Sequence, residues 1–304
     1  MFSAKLATKC GLVVATIGTL TACESGGPDP ILSLTGSVEP VETAADQRMR
    51  SVDIAARSDA LAISTVYGET DSAVPALQNV VLPSDPSDCS GAPPRCTATE
   101  PNTGFPLTLS LGSFVRNLEA DLDSQEAILT KHGITLTEGR GGRYGPTYRQ
   151  YGAWMDHAGF YVLTDARQLG AVAGATISIT LRGAAAGGDL TRSRPATSGT
   201  WQGVMTGTPA TGGGILQGDA SLTYDMASHT LDASFTDIVD LDRNAAHTVS
   251  EASFADVPVA ADGTFNDGGV GDLVRGGFKG PGHEEATGVF EQNGIVGAFG
   301  AKRQ

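Results

Sequence analysis

Residues 278–304, FKGPGHEEATGVFEQNGIVGAFGAKRQ, decide the fold of this chain. Small and apolar residues alternate on both sides of Asn293-Gly294, and Asn-Gly between two apolar runs is the strongest short-range signal for a hairpin. Glycines at 282, 288, 294, 297 and 300 leave positions without side chains, which in a tightly curved sheet mark bends and close backbone approach. The segment therefore predicts the closing hairpin of a curved, closed β-sheet.

The first 22 residues have the composition of a secretion signal. Lys5 and Lys9 precede an apolar run from Gly11 to Leu20, which is too short to span a bilayer because a spanning helix needs about 20 apolar residues. Leu20-Thr21-Ala22-Cys23 and the breaker-rich tether at 23–30 resemble the signal of bacterial lipoproteins. That resemblance implies acylation of Cys23, for example by palmitate. The alternative is an ordinary signal in which Cys23 is accidental.

The remaining cysteines predict a disulfide. Cys10 leaves with the signal and Cys23 takes lipid, so Cys89 and Cys96 form one even pair that closes a short Pro/Gly loop. An exported location allows a disulfide to persist, and this one would stabilise the fold by roughly 2–3 kcal/mol. A metal site is the alternative, but two thiols with no nearby histidine make only half a ligand set.

The charge balance excludes some partners. The chain has 304 residues and a net charge of −14, and loss of Lys5 and Lys9 with the signal takes it to −16. Residues 200–304 and residues 23–199 are both acidic, so neither part offers a basic face. Nucleic acids and anionic membrane surfaces are therefore poor candidates for binding.

The first unit is expected at 31–182, as a β-rich α+β domain. Val41, Ala45, Met49, Val52 and Ala56 recur at helical spacing and predict one amphipathic helix of four or five turns. Strand-like runs follow, separated by turns rich in glycine and by a polar, proline-rich stretch at 84–106 that reads as a long surface loop. Residues 183–199 have no apolar periodicity and predict a linker.

The second unit, 200–304, contains about eight short strand-like segments. Eight antiparallel strands at this spacing fit a β-barrel, which has no exposed edge and an interior filled by side chains. A seven-stranded sandwich is the alternative, although its usual Cys, Trp, Cys core is absent. The predicted fold class is mainly β: a β-rich α+β domain followed by an eight-stranded antiparallel barrel. The strand candidates are 201–207, 215–224, 230–238, 249–254, 257–260, 273–278, 286–291 and 295–301.

Several segments resemble one family of bacterial surface proteins. About a third of the chain is similar to the barrel of transferrin-binding protein B and its relatives, and the GPGHEE…GVF and GAFGAKR pieces are the most specific. The segment YGAWMDHAGFYV (151–162) also resembles the adjoining sheet of these proteins, called the handle. The barrel segments are WQGVMTG (201–207), GDASLTYDMASHTLDASF (218–235), RGGFKGPGHEEATGVFE (275–291) and GIVGAFGAKR (294–303).

This resemblance implies an outer-membrane lipoprotein, on the cell-surface or the periplasmic face, that captures a host protein, haem or another solute for uptake. A haem or iron carrier and a TonB-dependent receptor are the implied partners. The mature chain has length for only one handle and one barrel, whereas transferrin-binding protein B has two lobes, so transferrin itself is a doubtful ligand. No motif of the family that contacts transferrin can be matched to positions in this sequence, so the resemblance implies no particular binding residue.

Two acidic motifs resemble metal-binding sites in part. His283-Glu284-Glu285 begins like a zinc-protease helix motif, but residue 287 is Thr and the flanking Gly-Pro-Gly excludes the helix, so a turn whose carboxylates accept backbone amides is expected. Asp240, Asp242, Asn244 and Glu251 match a calcium loop except at Ala245, where glycine is needed, and strands flank it in place of helices. Calcium is therefore a weak candidate beside a solvated acidic loop. No cofactor is expected.

One segment stands out as a candidate ligand-binding site because it concentrates aromatic and basic residues in an acidic protein. Tyr, Trp and Arg dominate interface hot spots, so the segment favours contact with a protein. Alternatively it holds haem through a Tyr or His157 with Arg on the propionates, or its aromatics only pack a small sheet. The candidates are Arg143, Tyr144, Tyr148, Arg149, Tyr151, Trp154 and His157, with Arg140 beside them.

No nucleophile elbow, P-loop or dinucleotide fingerprint occurs, so the sequence does not predict an enzyme. The predicted function is capture of a partner protein or solute by a lipid-anchored protein, for iron or haem acquisition. The alternative is a structural or adhesion lipoprotein of the envelope with no nutrient ligand.

Overall fold

The computed structural model describes residues 34–58, 60–63, 66–71, 80–82, 89–90, 95–99, 106–110, 124–141, 149–172, 175–210, 213–269 and 271–304. Within these ranges the chain forms one helix and twenty strands, and all strand pairs are antiparallel. The predicted mainly β fold class is therefore confirmed. The signal, Cys23, Arg143, Tyr144 and Tyr148 lie outside the described residues.

The elements before the linker are α1 (Ala44–Arg57), β1 (Ala60–Ile63), β2 (Val66–Asp71), β3 (Val80–Leu82), β4 (Cys89–Ser90), β5 (Arg95–Thr99), β6 (Pro106–Ser110), β7 (Ser124–Lys131), β8 (Ile134–Arg140), β9 (Arg149–Trp154), β10 (Ala158–Val172) and β11 (Ala175–Gly188). The later strands are β12 (Gly199–Pro209), β13 (Leu216–Asp225), β14 (Thr230–Asp240), β15 (Ala245–Ala246), β16 (Ala252–Pro258), β17 (Thr264–Gly269), β18 (Asp272–Lys279), β19 (Glu285–Gln292) and β20 (Ile295–Arg303).

The first sheet, which we call the handle sheet, has the order β3-β2-β11-β10-β9-β8-β7, with β1 also pairing with β11. Its backbone is a meander from β7 to β11, so neighbouring strands are joined by short connections. The sequence did not predict β7, because SQEAILTK has no alternation of apolar and polar residues. Pairing with β8 from Ser124↔Arg140 to Lys131↔Ile134 makes it a strand nevertheless.

The helix forms where it was predicted, but it buries the other face. Thr43 begins it with a capping box, in which Thr43 and Asp46 satisfy each other's backbone amides. The buried residues are Gln47, Ser51, Ile54 and Ala55, whereas Val41 and Met49 on the predicted apolar face are 70% and 69% exposed. The apolar face from which the helix was predicted is therefore its exposed face, and the polar face is buried. No helix in the described part of the chain has the length and hydrophobicity needed to cross a bilayer.

Hydrogen bonds decide which face of α1 is buried. Gln47 Oε1 accepts from the Trp154 amide at 2.7 Å, and Arg50 Nη1 donates to the Trp154 carbonyl at 2.7 Å. At the other end of the helix, Ser58 Oγ donates to the Gly188 carbonyl. The helix therefore lies across the ends of β9 and β11 and satisfies backbone groups there.

A separate three-stranded sheet, β4-β5-β6, occupies part of the stretch expected to be a long loop. Its backbone register puts Cys89 directly opposite Cys96. Opposed residues of an antiparallel pair are near enough for a disulfide. The predicted bond stays a prediction.

The second sheet closes into a barrel of eight main strands. Its order is β15-β14-β13-β12-β20-β19-β18-β17, and β16 pairs with β14. The ring is completed between β16 and β17 by the bridge Val259↔Phe265 and by a hydrogen bond from the Ala260 amide to the Thr264 carbonyl.

The hairpin at Asn293-Gly294 forms as predicted, with positive φ at both residues. Residues 249–260 give one strand, β16, instead of two, and β17 was not predicted.

The barrel interior is filled by aromatic and aliphatic side chains. Phe235 stacks on Phe290 with ring centroids 4.1 Å apart, and Phe299 lies 5.1 Å from Phe235. Trp201 and Phe278 form a second pair, 4.7 Å apart, towards the other end. All five rings are buried, so the interior is a packed core and not a channel.

The handle sheet packs on the outside of three barrel strands, β12, β19 and β20. One buried apolar cluster contains residues of both units, so these strands have a packed face on each side. Phe160 of β10 lies directly against Gly300 of β20. From the barrel the cluster takes Val204, Ile215, Val289, Val296 and Ala298; from the handle it includes Tyr151, Ala153, Met155, Phe160, Val162, Ala184 and Ala186.

The predicted linker at 183–199 begins later than expected. Gly183–Gly188 continue β11, because Ala184, Ala185 and Ala186 are small enough to pack at the buried contact. The next residues are bonded to both units: the Asp189 amide donates to the His157 carbonyl, and the Thr191 amide donates to the Phe278 carbonyl. Handle and barrel are therefore joined by a short, hydrogen-bonded connection.

We expect Gly300→Ala to destabilise the protein by about 1–3 kcal/mol in urea unfolding, because the added Cβ would overpack the contact. It would lie under 3.0 Å from the Phe160 ring and 2.8 Å from Met155 Cε. Gly269→Ala is the matched control, since nothing lies within 4 Å of its Cβ position, and should stay within about 0.5 kcal/mol of wild type. Equal effects of the two changes would contradict the packing of handle on barrel.

Candidate functional site at the handle–barrel junction

Two aromatic residues of the aromatic and basic segment, Tyr151 and Trp154, lie inside the molecule, whereas Arg149 and His157 are partly exposed. Tyr151 and Trp154 are each only 1% exposed. Tyr151 belongs to the cluster between handle and barrel, and Trp154 holds α1 through its backbone. A surface partner cannot reach these two rings in this structure, so the alternative that the aromatics pack a sheet describes them. Ligand binding by the rest of the segment stays a prediction.

The Tyr151 hydroxyl joins the two units. It donates a hydrogen bond to Gln217 Oε1 of β13, and both side chains are buried. Burial raises the pKa of Tyr151, with a smaller contribution from the carboxylate of Glu138. The phenol therefore stays protonated, which makes it unsuited to ligate haem iron as a phenolate.

Arg149 is a charged link across the same junction. Its guanidinium donates to Glu138 Oε1 at 2.9 Å within the handle and to Asp242 Oδ2 at 2.7 Å in the barrel loop. Arg140 adds a second contact to Glu138. Because its N–H groups donate to two carboxylates of this chain, Arg149 links the two units and is not free to bind a haem propionate.

His157 and Glu285 form the third link. Glu285 of β19 is 2% exposed, and its carboxylate accepts from the amides of Asp156 and His157 at 2.8 and 2.9 Å. The imidazole of His157 lies close to Gly280 in the loop that contains His283 and Glu284. Glu284 accepts from the Gly282 amide at 2.8 Å, so the expected turn with amide-binding carboxylates is present.

In the weak calcium candidate, the carboxylates of Asp240 and Asp242 bind groups of this chain. Asp240 Oδ1 accepts from the amides of Asp242 and Arg243, and its Oδ2 lies 3.4 Å from Arg243 Nη1. Asp242 is bound to Arg149. Among the described residues, no three His, Cys, Asp or Glu side chains come together as a metal-binding group. We therefore do not propose that calcium binds at the loop that contains Asn244 and Glu251.

An open cavity of about 360 Å³ lies between the two units and is the candidate binding site. We call it the junction cleft. Its volume is at the lower end of the range for small-molecule sites. The handle contributes Leu34, Thr35 and Lys131, and the barrel contributes Asp237, Ile238, Val239, Asn244, Ala245, Ala246 and Ser250.

The backbone around the junction cleft is irregular. β14 carries a bulge, since Gln217 pairs with Val239 but Asp219 pairs with Thr236. Asp237 within the bulge and Asn244 at the rim both have positive φ, 53° and 49°. Bulges and left-handed residues other than glycine recur at functional sites, because the surrounding structure must stabilise them. The cleft is therefore a better candidate than the residues singled out from the sequence.

One buried ion pair supports the handle side of the junction cleft. Lys131 is only 5% exposed, and its ammonium is paired with Asp219 of β13. His132, the next residue, has a φ of 51° and brings Nε2 to 3.4 Å from the same carboxylate. The lining of the cleft is mixed on both sides: the handle contributes Leu34 beside Lys131, and β14 contributes Asp237 beside Ile238. Nothing in the sequence marks these residues, because the bulge and the contact between units appear only on folding.

We expect Tyr151→Phe to cost about 1–3 kcal/mol of unfolding free energy, since it leaves the buried Gln217 oxygen without its donor. Gln217→Leu removes the acceptor, and the double variant should lose less than the sum of the single changes. A coupling energy of at least about 0.5 kcal/mol is expected from urea unfolding of all four proteins. Strict additivity would show that the hydrogen bond does not join the units.

Burial raises the pKa of Glu285 above its ordinary value, against the lowering effect of the two amides. The folded state then holds this proton more tightly than the unfolded chain, so the stabilisation is present at low pH and is lost as pH rises. The stability of wild type relative to Glu285→Gln should therefore fall as the pH rises above about 4, where an ordinary glutamate ionises. A difference that stays constant would contradict the prediction; Glu251→Gln is the matched change at an exposed carboxylate.

Solved structures of iron-carrier-binding proteins are similar to this chain, while no protein-family model and no curated protein matches it. A double mutant of transferrin-binding protein B from Haemophilus parasuis is 11% identical with a TM-score of 0.37, over 69% of this chain and 51% of that one. Transferrin-binding protein B from Neisseria meningitidis is 16% identical with a TM-score of 0.30, over 80% and 43%.

The N-lobe of lactoferrin-binding protein B from Moraxella bovis is 11% identical with a TM-score of 0.38, over 80% of this chain and 99% of that lobe. The chain thus spans about half of the transferrin-binding protein B chains it matches. These neighbours include the family whose motifs the carboxy-terminal segment resembles. Since the TM-scores are below 0.5, the likeness carries no conclusion about what this chain binds.

Proposed function

We propose that this chain is a lipid-anchored protein of the outer membrane that captures a partner protein or solute, with iron or haem acquisition as its purpose. The observation that supports capture is the junction cleft, a concave site of about 360 Å³ with walls from two packed units. Binding sites occur preferentially at such boundaries between domains. Anchoring through Cys23 is supported by the lipoprotein-like signal at the amino terminus.

The partner is proposed to be a protein or a small solute and not haem held by Tyr151 and Arg149. Tyr151 is buried and protonated, and Arg149 is bound to Glu138 and Asp242. A cleft of this size accommodates a small solute or a few side chains of a larger partner. A TonB-dependent receptor that takes over the captured cargo is part of the same proposal.

The test is capture by the purified mature protein of transferrin, haemoglobin or haemin, measured by surface plasmon resonance. Ala245→Trp fills the cleft from an exposed position and should weaken capture at least about tenfold. Ala227→Trp, in the exposed turn between β13 and β14, is the matched control and should bind like wild type. Equal binding by both variants would remove the cleft as the site.

The alternative, an envelope protein without a nutrient ligand, is separated by the same experiment. Failure to bind any of the three ligands, together with normal growth of a deletion strain under iron limitation, would contradict the proposed capture function. Binding of one ligand with a growth defect would support it.

A further inference from the structure

The exposed large hydrophobic side chains of the described residues are concentrated around α1. Four of the five, Val38, Val41, Met49 and Val52, lie there, each 46–70% exposed. Contiguous exposed apolar groups of this kind mark interaction surfaces. We use the name α1 stripe for five exposed residues: Ala45, Met49, Val52 and Ala56, which share one face of the helix, and Val41, which precedes the helix.

The helix cannot turn the α1 stripe inward. Gln47 and Arg50 on its other side bond the Trp154 backbone, and Arg50 is also paired with Glu42 at 2.6 Å and lies 3.8 Å from Asp156. At the last turn, Arg57 reaches Asp189 at 3.4 Å. Rolling the helix would break these contacts along its whole length. The outward orientation is therefore built into the fold.

The position of the α1 stripe in the chain identifies what covers it. Ten residues lie between Cys23 and Leu34, so the two are at most about 40 Å apart when the chain is fully extended. An acylated Cys23 would thus hold α1 near the bilayer. Residues 34–58 carry four acids and three arginines, nearly balanced, although the mature chain is strongly acidic. The lipid surface therefore meets little charge repulsion here.

We infer that the α1 stripe rests on the lipid surface to which Cys23 anchors the chain, so that α1 is a second, non-covalent membrane contact. This inference rests on the anchoring in the proposed function. A helix with one apolar face lies in the plane of the interface and buries that face at the boundary of headgroups and acyl chains. Docking of α1 would fix how the handle is oriented on the membrane, which a tether alone leaves free.

The test uses the mature chain, residues 23–304, with Cys23→Ala, so that both the apolar signal and the acylation site are absent, and measures flotation with phosphatidylcholine vesicles. The unlipidated chain should float with the vesicles in 0.5 M salt as well as at low salt, since the contact is apolar. Adding Met49→Glu and Val52→Glu should lower the vesicle-bound partition coefficient at least about tenfold. Met226→Glu, at an exposed position in the barrel turn, is the matched control and should float like the parent.

Three results would overturn the inference. One is vesicle binding that the Met49→Glu, Val52→Glu variant retains in full. Another is a concentration-dependent dimer, seen by sedimentation, that this variant abolishes, because a second copy would then cover the stripe. The third is a large drop in the thermal unfolding midpoint of the Met49→Glu, Val52→Glu variant, because it would mean that other parts of the chain cover the stripe. Incorporation of labelled palmitate at Cys23 of wild type is measured separately and tests the anchor alone.

Discussion

The contact between the handle sheet and the outer face of β12, β19 and β20 is the constraint on which the structure depends. These three strands are buried on both faces, which favours apolar side chains on the inward and the outward sides. Thr206 and Thr208 of β12 are exceptions, because both are buried and their hydroxyls have no hydrogen-bond partner among the described residues. Phe160 lies on Gly300 from outside, while Phe290 fills the space at Gly297 from inside. The glycine-rich, apolar sequence of the closing hairpin follows from this double burial.

Polar residues that enter the same contact are bonded in specific ways. Tyr151 meets Gln217, Glu285 meets two amides of the turn after β9, and Arg149 bridges to Asp242. These bonds define how handle and barrel are oriented, because each requires one relative position of the two units. The same geometry creates the junction cleft beside Lys131. Function is therefore sought at the margin of the contact and on the α1 stripe, and not at the buried rings of Tyr151 and Trp154.

The sequence allowed the barrel to be predicted because its strands obey local rules. The Asn293-Gly294 turn and the alternation around it require no knowledge of distant residues. Prediction failed where distant residues decide: Gln47 and Arg50 bury the polar face of α1 because the Trp154 backbone needs partners, and β7 is a strand because β8 pairs with it. The sequence singles out Arg149 and Tyr151 as candidate ligand-binding residues. Only the fold shows that their hydrogen-bond partners are other residues of the same chain. The cleft depends on a bulge in β14 and on both units, so no local pattern indicates it.

The two tryptophans test most directly whether handle and barrel form one packed body, since Trp154 lies in the handle and Trp201 in the barrel. Urea unfolding of the single-tryptophan variants Trp201→Phe and Trp154→Phe is followed by fluorescence and, in the same samples, by circular dichroism. One packed body predicts that fluorescence and circular dichroism coincide in each variant, because both units unfold together. Loss of the Trp154 signal at clearly lower urea than the circular dichroism transition would show that the handle unfolds from an intact barrel, and would contradict the account.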